Sequence, residues 1–402
     1  MPSVLLPRPQ PPPAGPQGHA LVIGISDYAN LPEPGRSSGR DATLDLTKVK
    51  CGALSALRFA RWLMRADEEG RLPVPLGSVR LLLAPSAEEA AKEPALEPYL
   101  RQASPSEALP DLDGIRRAAV AWRQECGKGQ DRVAYYYFCG HGILRDGGTT
   151  TFLAHDFATP EWPELFHAFD LNNVVGGMAP SAQYPEIARQ QYYFLDCCQS
   201  ISEALRTRIS SQPSQLLSQE LNAPDNRARP VFTASRPGGE AVAPFAEPTP
   251  FCEALLGALD AGGRFSRTLP SGDKIWPVRA NDLLFGIRRN LVAAKQSAVV
   301  PTQVGQVVGD PEIVMNRTPP DVSFVLRIEP DGIVRNTEVT LSGKSLATPL
   351  VLPDQGREHP YQVTLSAGIY SLEPRTIPNG PVGPRQDEVV HPGFDLWVVR
   401  AQ

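Results

Sequence analysis

Two short runs end abruptly at reactive side chains. They are Tyr135-Tyr136-Tyr137-Phe138-Cys139-Gly140-His141-Gly142 and Tyr192-Tyr193-Phe194-Leu195-Asp196-Cys197-Cys198-Gln199-Ser200. Neither alternates polar with apolar residues, as a half-exposed strand would. Both read as strands buried on two faces of a parallel sheet. Ligands in such sheets bind beyond the carboxyl ends of the strands. Two strands of this kind deliver a histidine and a cysteine to one edge. A thiol becomes a useful nucleophile near neutral pH when a base or a positive charge stands beside it.

The flanking pattern supplies the rest of an α/β layout. A strand is expected at His19–Ile25, then a loop rich in Pro, Gly, Ser and Asp to about Lys50. An amphipathic helix follows from Gly52 to Ala66, with Leu54, Leu57, Trp62 and Met64 on one face. Ser78–Ala84 reads as a strand, and Asp111 as the cap of a helix running to Glu125. Thr150–Phe157 reads as a short strand pair or hairpin arm, Arg229–Ser235 as another buried strand, and Thr249–Ala261 and Asn281–Lys295 as helices. Thr302–Met315 is a final extended segment. The alternation predicts a mostly parallel sheet with helices on both faces. Ser200–Arg229, polar and broken by Pro213 and Pro224, reads as part helix and part mobile loop. Beyond Arg317-Thr318-Pro319-Pro320 short alternating runs are separated by Asp331-Gly332, Ser342-Gly343 and Ala367-Gly368. They predict a small antiparallel β domain. The expected organisation is a Pro-rich disordered leader over 1–17, a catalytic α/β domain over 18–316 and the β domain over 317–402.

Charge and composition exclude several classes. The net charge of −5 and the lack of a Lys/Arg block argue against nucleic acid as a direct partner. No apolar run approaches the roughly 18 residues of a membrane helix, so no membrane partner is expected. Six cysteines in 402 residues, two of them adjacent, do not resemble a secreted disulfide framework. A reduced, cytoplasmic setting is the expectation. Cys139, His141, Cys197 and Cys198 are all zinc-type residues, but their spacings are not those of structural zinc, so no metal and no cofactor are expected. Neither a phosphate-binding loop nor a G-x-S-x-G elbow is present.

At the strand ends, Gly140 and Gly142 allow close backbone approach around His141. The Gly142 N–H is a candidate oxyanion donor. Cys197 and Cys198 point to opposite faces if the strand continues, so only one meets the histidine. Cys197 is then the buried residue and Cys198 the reactive one. Asp196, two residues back, shares the Cys198 side and suits a pocket rim that receives a cation.

These residues resemble the caspase/metacaspase superfamily of cysteine peptidases, including its bacterial members. The pattern is strand, His-Gly, then strand, Asp-x-Cys, with the histidine some fifty residues upstream. Here it is Gly140-His141-Gly142 and Asp196-Cys197-Cys198-Gln199-Ser200. Gln199 and Ile201 replace the His and Gly usual after the cysteine, and Ser55 stands where metacaspases carry a second pocket Asp. The resemblance spans about residues 17–316 and includes Phe232-Thr233-Ala234 through Gly239-Glu240-Ala241. It implies a caspase-like fold in which Cys198 is the nucleophile and His141 the base and acid. The N–H groups of Cys198 and Gly142 form the oxyanion site. Asp196, with Ala234 and Ser235, lines the specificity pocket, which selects Arg or Lys. The implied partners are a protein or peptide substrate and an activating protein, in bacterial signalling or antiviral defence. Arg206, Arg208, Arg227 and Arg229 make the following loop a candidate for self-processing. The alternative is a caspase-fold scaffold that has lost catalysis.

Overall fold

The computed structural model describes residues 4–5, 15–36, 43–44, 46–100, 109–145, 148–163, 165–199, 212–220, 225–236, 238–239, 241–296, 302–304, 311–353, 359–377, 381–391, 394 and 396–400. Along the chain, β1 (Val4–Leu5) and β2 (Gly18–Ile25) precede helix α1 (Gly52–Glu68), β3 (Leu76–Ala84), the short helices α2 (Ala87–Lys92) and α3 (Glu97–Leu100), and α4 (Leu112–Cys126). Next come β4 (Val133–Gly140), the arm β5 (Gly142–Leu144), β6 (Thr150–Leu153) and β7 (Ala168–Asp170), then α5 (Leu171–Gly177), β8 (Gln190–Cys197) and β9 (Val231–Thr233). They are followed by α6 (Pro250–Asp260), β10 (Arg267–Thr268), β11 (Lys274–Arg279), α7 (Ala280–Ala293), β12 (Thr302–Val304) and β13 (Glu312–Asn316).

The central sheet runs β1-β3-β2-β4-β8-β9-β12. Its five inner strands are parallel, and the short edge strands β1 and β12 pair antiparallel. The leader is thus not wholly outside the fold, because Val4 and Leu5 pair with Leu81 and Arg80. Among the parallel strands the spatial order is second, first, third, fourth, fifth. The order reverses between β2 and β4, so the loops leaving their carboxyl ends diverge and open a crevice there. Residues 26–51 leave from β2, and His141 leaves from β4.

The aromatic runs occupy both faces of this sheet. Tyr135, Tyr137, Cys139, Tyr192 and Phe194 face α1, α6 and α7. Tyr136, Phe138, Tyr193, Leu195 and Cys197 face α4, α5 and the β5-β6-β7 arm. Phe59 of α1 stacks on Tyr137 with ring centroids 4.5 Å apart and meets Phe194 at 5.3 Å. The amino end of α1 lacks a local side-chain cap. Its free N–H groups are taken instead by Ser26, which accepts from Ala53 at 3.0 Å, and by Glu89, which accepts from Leu54 at 3.0 Å. Those bonds tie α1 to the exit of β2 and to α2. Asp111 caps α4 as expected, accepting from the Gly114 N–H at 2.6 Å.

The extended segment expected over Thr302–Met315 divides. β12 closes the central sheet, whereas β13 joins β10 and β11 in a separate one. The described parts of Ser200–Arg229 contain neither helix nor strand. After Pro320 the chain forms β14 (Asp321–Glu329), β15 (Thr337–Gly343), β16 (Leu350–Leu352), β17 (Tyr361–Ser366), β18 (Gly368–Thr376), β19 (Gln386–Val390) and β20 (Leu396–Arg400). These make two facing sheets, β17-β14-β20 and β16-β15-β18-β19, around Val322, Phe324, Leu326, Leu341, Leu372 and Trp397. The sheets are not purely antiparallel as expected, because β20 returns parallel to β14.

Phe59 is fully buried between helix and sheet. Phe59→Ala is expected to lose about 3–5 kcal/mol in urea denaturation. Phe285→Ala, at a position 41% exposed, is expected to lose less than about 1 kcal/mol.

Candidate active site

The register between β4 and β8 places Cys139 beside Asp196 and Gly140 beside Cys197. The next residue of each strand is His141 and Cys198, so both leave the sheet at one edge. Their approach is close enough to require glycine. A Cβ on Gly142 would lie 2.5 Å from the Cys198 carbonyl oxygen and 2.7 Å from the Cys197 sulfur. A Cβ on Gly140 would lie 2.7 Å from the Tyr28 hydroxyl. The two glycines serve space rather than a left-handed turn. Gly142 pairs with Phe152, and the Leu153 N–H donates to the His141 carbonyl at 3.2 Å. Gly142 therefore occupies the non-hydrogen-bonded position of this hairpin, and its N–H points away from β6.

His141 is fixed from three directions. Its backbone N–H donates to the Tyr28 hydroxyl at 2.6 Å, and its ring lies 4.9 Å from the Tyr28 ring. Its Nε2 is 2.6 Å from the Thr47 carbonyl oxygen. A carbonyl only accepts, so Nε2 carries the proton and Nδ1 keeps the lone pair in the neutral ring. Burial lowers the His141 pKa, against the opposing pull of the Thr47 carbonyl. The resting ring is therefore a neutral base near pH 7, not an imidazolium.

Cys198 is half-buried, whereas Cys197 is buried against the α4 side. The Cys198 sulfur accepts the Ala241 N–H at 3.2 Å and lies 3.7 Å from the Ala241 carbonyl oxygen. The neighbouring loop is stitched to it. The Gln199 N–H donates to Gly239 at 2.9 Å, and Gly238 donates back to Gln199 at 2.8 Å. Gln199 also donates its side-chain amide to the Ser235 carbonyl at 3.1 Å.

The residues assigned to the specificity pocket sit deeper than expected. Asp196 is only 3% exposed and is not at a rim. Its Oδ2 accepts the Tyr137 hydroxyl at 2.6 Å and a short bond from the Thr249 hydroxyl. Its buried Oδ1 meets no N–H or O–H donor among the described residues. Burial pushes its pKa up to about 6, against the Thr249, Tyr137 and Cys139 side chains, which favour the charge. Ser55 is buried and accepts the Thr249 N–H at 3.0 Å. Thr249 thus joins Asp196 to the position where a second carboxylate was sought. Ala234 and Ser235 follow β9. Both are buried, and the Ser235 hydroxyl donates to the Cys197 carbonyl at 3.2 Å. The bond braces the turn under Cys198. Of the loop arginines, Arg206 and Arg208 lie outside the described residues. Arg227 is fully buried, bonded to Asp225, Val175 and Gln191, and so is no cleavage point in this fold.

Thr47, Tyr28, Ala241 and Thr249 were not foreseen as site residues. Thr47 and Ala241 act through the backbone, which leaves no side-chain signature. Thr249 was visible only as the first residue of the expected helix Thr249–Ala261. Among the described residues no cluster of three His, Cys, Asp or Glu side chains could hold a metal. No helix among the described residues is long and apolar enough to cross a membrane.

No family model matches the chain. A Sinorhizobium fredii (strain NBRC 101917 / NGR234) protein described as "Uncharacterized protein y4kE" is 25% identical over 252 residues, which cover 60% of this chain and 70% of that one. Among solved structures, the chain is similar to Caspase-1 from Spodoptera frugiperda, with a TM-score of 0.40 and 12% identity over 72% of this chain and 86% of that one. It is also similar to protein GSU0716 from Geobacter sulfurreducens, with a TM-score of 0.39 and 14% identity over 75% of this chain and 98% of that one.

The raised Asp196 pKa has a definite sign in stability. The folded state holds this proton more tightly than the unfolded chain, so stability falls as pH rises from about 4 to about 6 and then levels. The rise from 3.8 to about 6 corresponds to a loss of about 3 kcal/mol. Denaturation of wild type and Asp196→Asn at a series of pH values isolates this slope. The stability difference between them is expected to shift in favour of the Asn variant as pH rises through that window.

Proposed function

We propose that this chain is a cysteine endopeptidase acting through Cys198 and His141. The observation that carries the reading is the Thr47–His141 bond, which leaves Nδ1 basic at the strand end next to Cys198. In this reaction the Cys198 thiol gives its proton to Nδ1 as sulfur attacks the peptide carbonyl carbon. The resulting oxyanion is stabilised by the N–H groups of Gly142 and Cys198. Collapse breaks the C–N bond, and the leaving amine takes the proton from Nδ1. Water, deprotonated by the same nitrogen, then hydrolyses the thioester and restores the thiol.

The side chain before the cut is Arg or Lys. Its support is the buried Asp196 carboxylate, whose Oδ1 is left without an N–H or O–H donor. A guanidinium or ammonium reaching that oxygen would satisfy it and favour the charged carboxylate. In the described conformation, Gly238–Gly239 and Ala241 pair over Cys198 and Gln199, so entry requires that loop to move. That requirement suits a regulated enzyme, and the resemblance in sequence suggests an effector role in bacterial signalling or antiviral defence.

A peptide-library cleavage profile of wild type beside Cys198→Ala and Asp196→Asn tests the reading. Wild type is expected to cut after Arg or Lys. Cys198→Ala is expected to lose at least about a thousandfold in turnover. Asp196→Asn is expected to weaken cleavage at Arg more than at neutral residues. Cleavage dominated by aspartate or apolar residues would overturn the specificity. No cleavage under any condition in which Cys198 still alkylates would favour a scaffold.

A further inference from the structure

The carbonyl that orients His141 belongs to an irregular segment. Residues 46–49 have neither helix nor strand geometry, so no ladder of backbone bonds holds Thr47. The backbone bonds that tie its neighbours are Leu46 to Thr43 at 2.9 Å, Lys48 to Pro32 at 2.9 Å, and Ala246 to the Lys50 carbonyl at 2.8 Å. Leu46 and Val49, on either side of Thr47, pack against the core, and two lysines that follow Thr47 add ion pairs. Lys48 pairs with Asp27 at 2.7 Å and Glu33 at 3.2 Å. Lys50 pairs with Glu33 at 2.8 Å and Glu88 at 3.0 Å. Glu33 therefore bridges both lysines, and the clasp joins the exit of β2, its following loop and α2.

We propose that Lys48, Lys50 and Glu33 are positioning residues for His141, acting through the Thr47 carbonyl. Lys50 gives the strongest physical reason. Its side chain is only 9% exposed, yet it carries a charge. Burying an ammonium is costly, and a well-packed apolar residue would often stabilise such a site as well or better. What an apolar residue would not supply is a fixed, two-ended link. Burial opposes the Lys50 charge, but its bonds to Glu33 and Glu88 hold its pKa above the ordinary range, so the link persists across neutral pH. With the clasp intact the carbonyl stays 2.6 Å from Nε2 and selects the Nε2–H tautomer. With it broken, the loop gains freedom, and the ring loses both its tautomer and its aim.

The inference rests on the pairing of His141 with Cys198 proposed above, so its test uses one readout that depends on that pairing and one that does not. The first is the rate of Cys198 alkylation by iodoacetamide against pH, with Cys198→Ala as the blank. The second is the nitrogen chemical shifts of His141 in protein labelled with ¹⁵N-histidine, assigned by His141→Ala. Lys50→Met is expected to slow alkylation near pH 7 about tenfold. It should also move the His141 shifts away from those of a pure Nε2–H ring. Lys50→Arg should restore both. Glu33→Gln, at a position 46% exposed, should act in the same direction and covers the case in which Lys50→Met does not fold. Arg58→Met removes an exposed ion pair elsewhere, on α1, with Glu253 at 2.7 Å, and should change neither readout. Folded Lys50→Met and Glu33→Gln proteins with wild-type histidine shifts would overturn the proposal. Altered shifts with no peptide cleavage by any form, wild type included, would support the clasp and count against the peptidase reading alone.

Discussion

The site depends on the register between two buried parallel strands. β4 and β8 pair so that Gly140 stands beside Cys197, and their next residues leave the sheet together. Because side chains alternate across a strand, a slip of one residue would exchange the faces. Cys198 would then turn toward the α4 side, and Asp196 would leave Tyr137 and Thr249. The aromatic residues guard against this. Tyr135 lies on Tyr192, Tyr136 near Tyr193, and Phe59 of α1 locks Tyr137 and Phe194 from above. The residues that fill the core also set the position of the reactive groups.

Burial then sets the resting protonation. The sheet edge removes water from His141 and from Asp196, and both are pushed toward their neutral forms. For the histidine this yields a base with a free nitrogen. For the aspartate it yields a carboxyl group whose pKa is pushed up to about 6, so that a cation beside it would hold the charge more firmly. Two groups of opposite charge type are thereby made responsive by one physical cause, loss of hydration. The Cys198 sulfur is treated differently. It is half-buried, accepts a backbone N–H from Ala241 and lies 3.7 Å from the carbonyl oxygen of the same residue.

The contacts around these groups come from parts of the chain far apart in sequence. Thr47 precedes α1, Tyr28 follows β2, Ala241 lies beyond β9, and Thr249 caps α6. They converge because the strand order reverses between β2 and β4, which gathers successive loops over one edge. The same convergence buries Ala234 and Ser235. The resemblance implied that they line the pocket; in the fold the Ser235 hydroxyl closes on the Cys197 carbonyl.

The sequence by itself determined the buried strands, the helices that cover them, and the arrival of His141 and Cys198 at one edge. It could do so because unbroken aromatic runs and capped amphipathic helices are local patterns, each readable within about ten residues. The placement of β13 outside the central sheet and the parallel return of β20 were not legible, since pairing partners are chosen by long-range packing. Only the tertiary structure decided the depth of Asp196, the tautomer of His141 and the partner of the Cys198 sulfur. Those depend on backbone carbonyls and N–H groups, which every residue carries alike and no sequence pattern distinguishes. Distance and burial in the folded chain select which of them act.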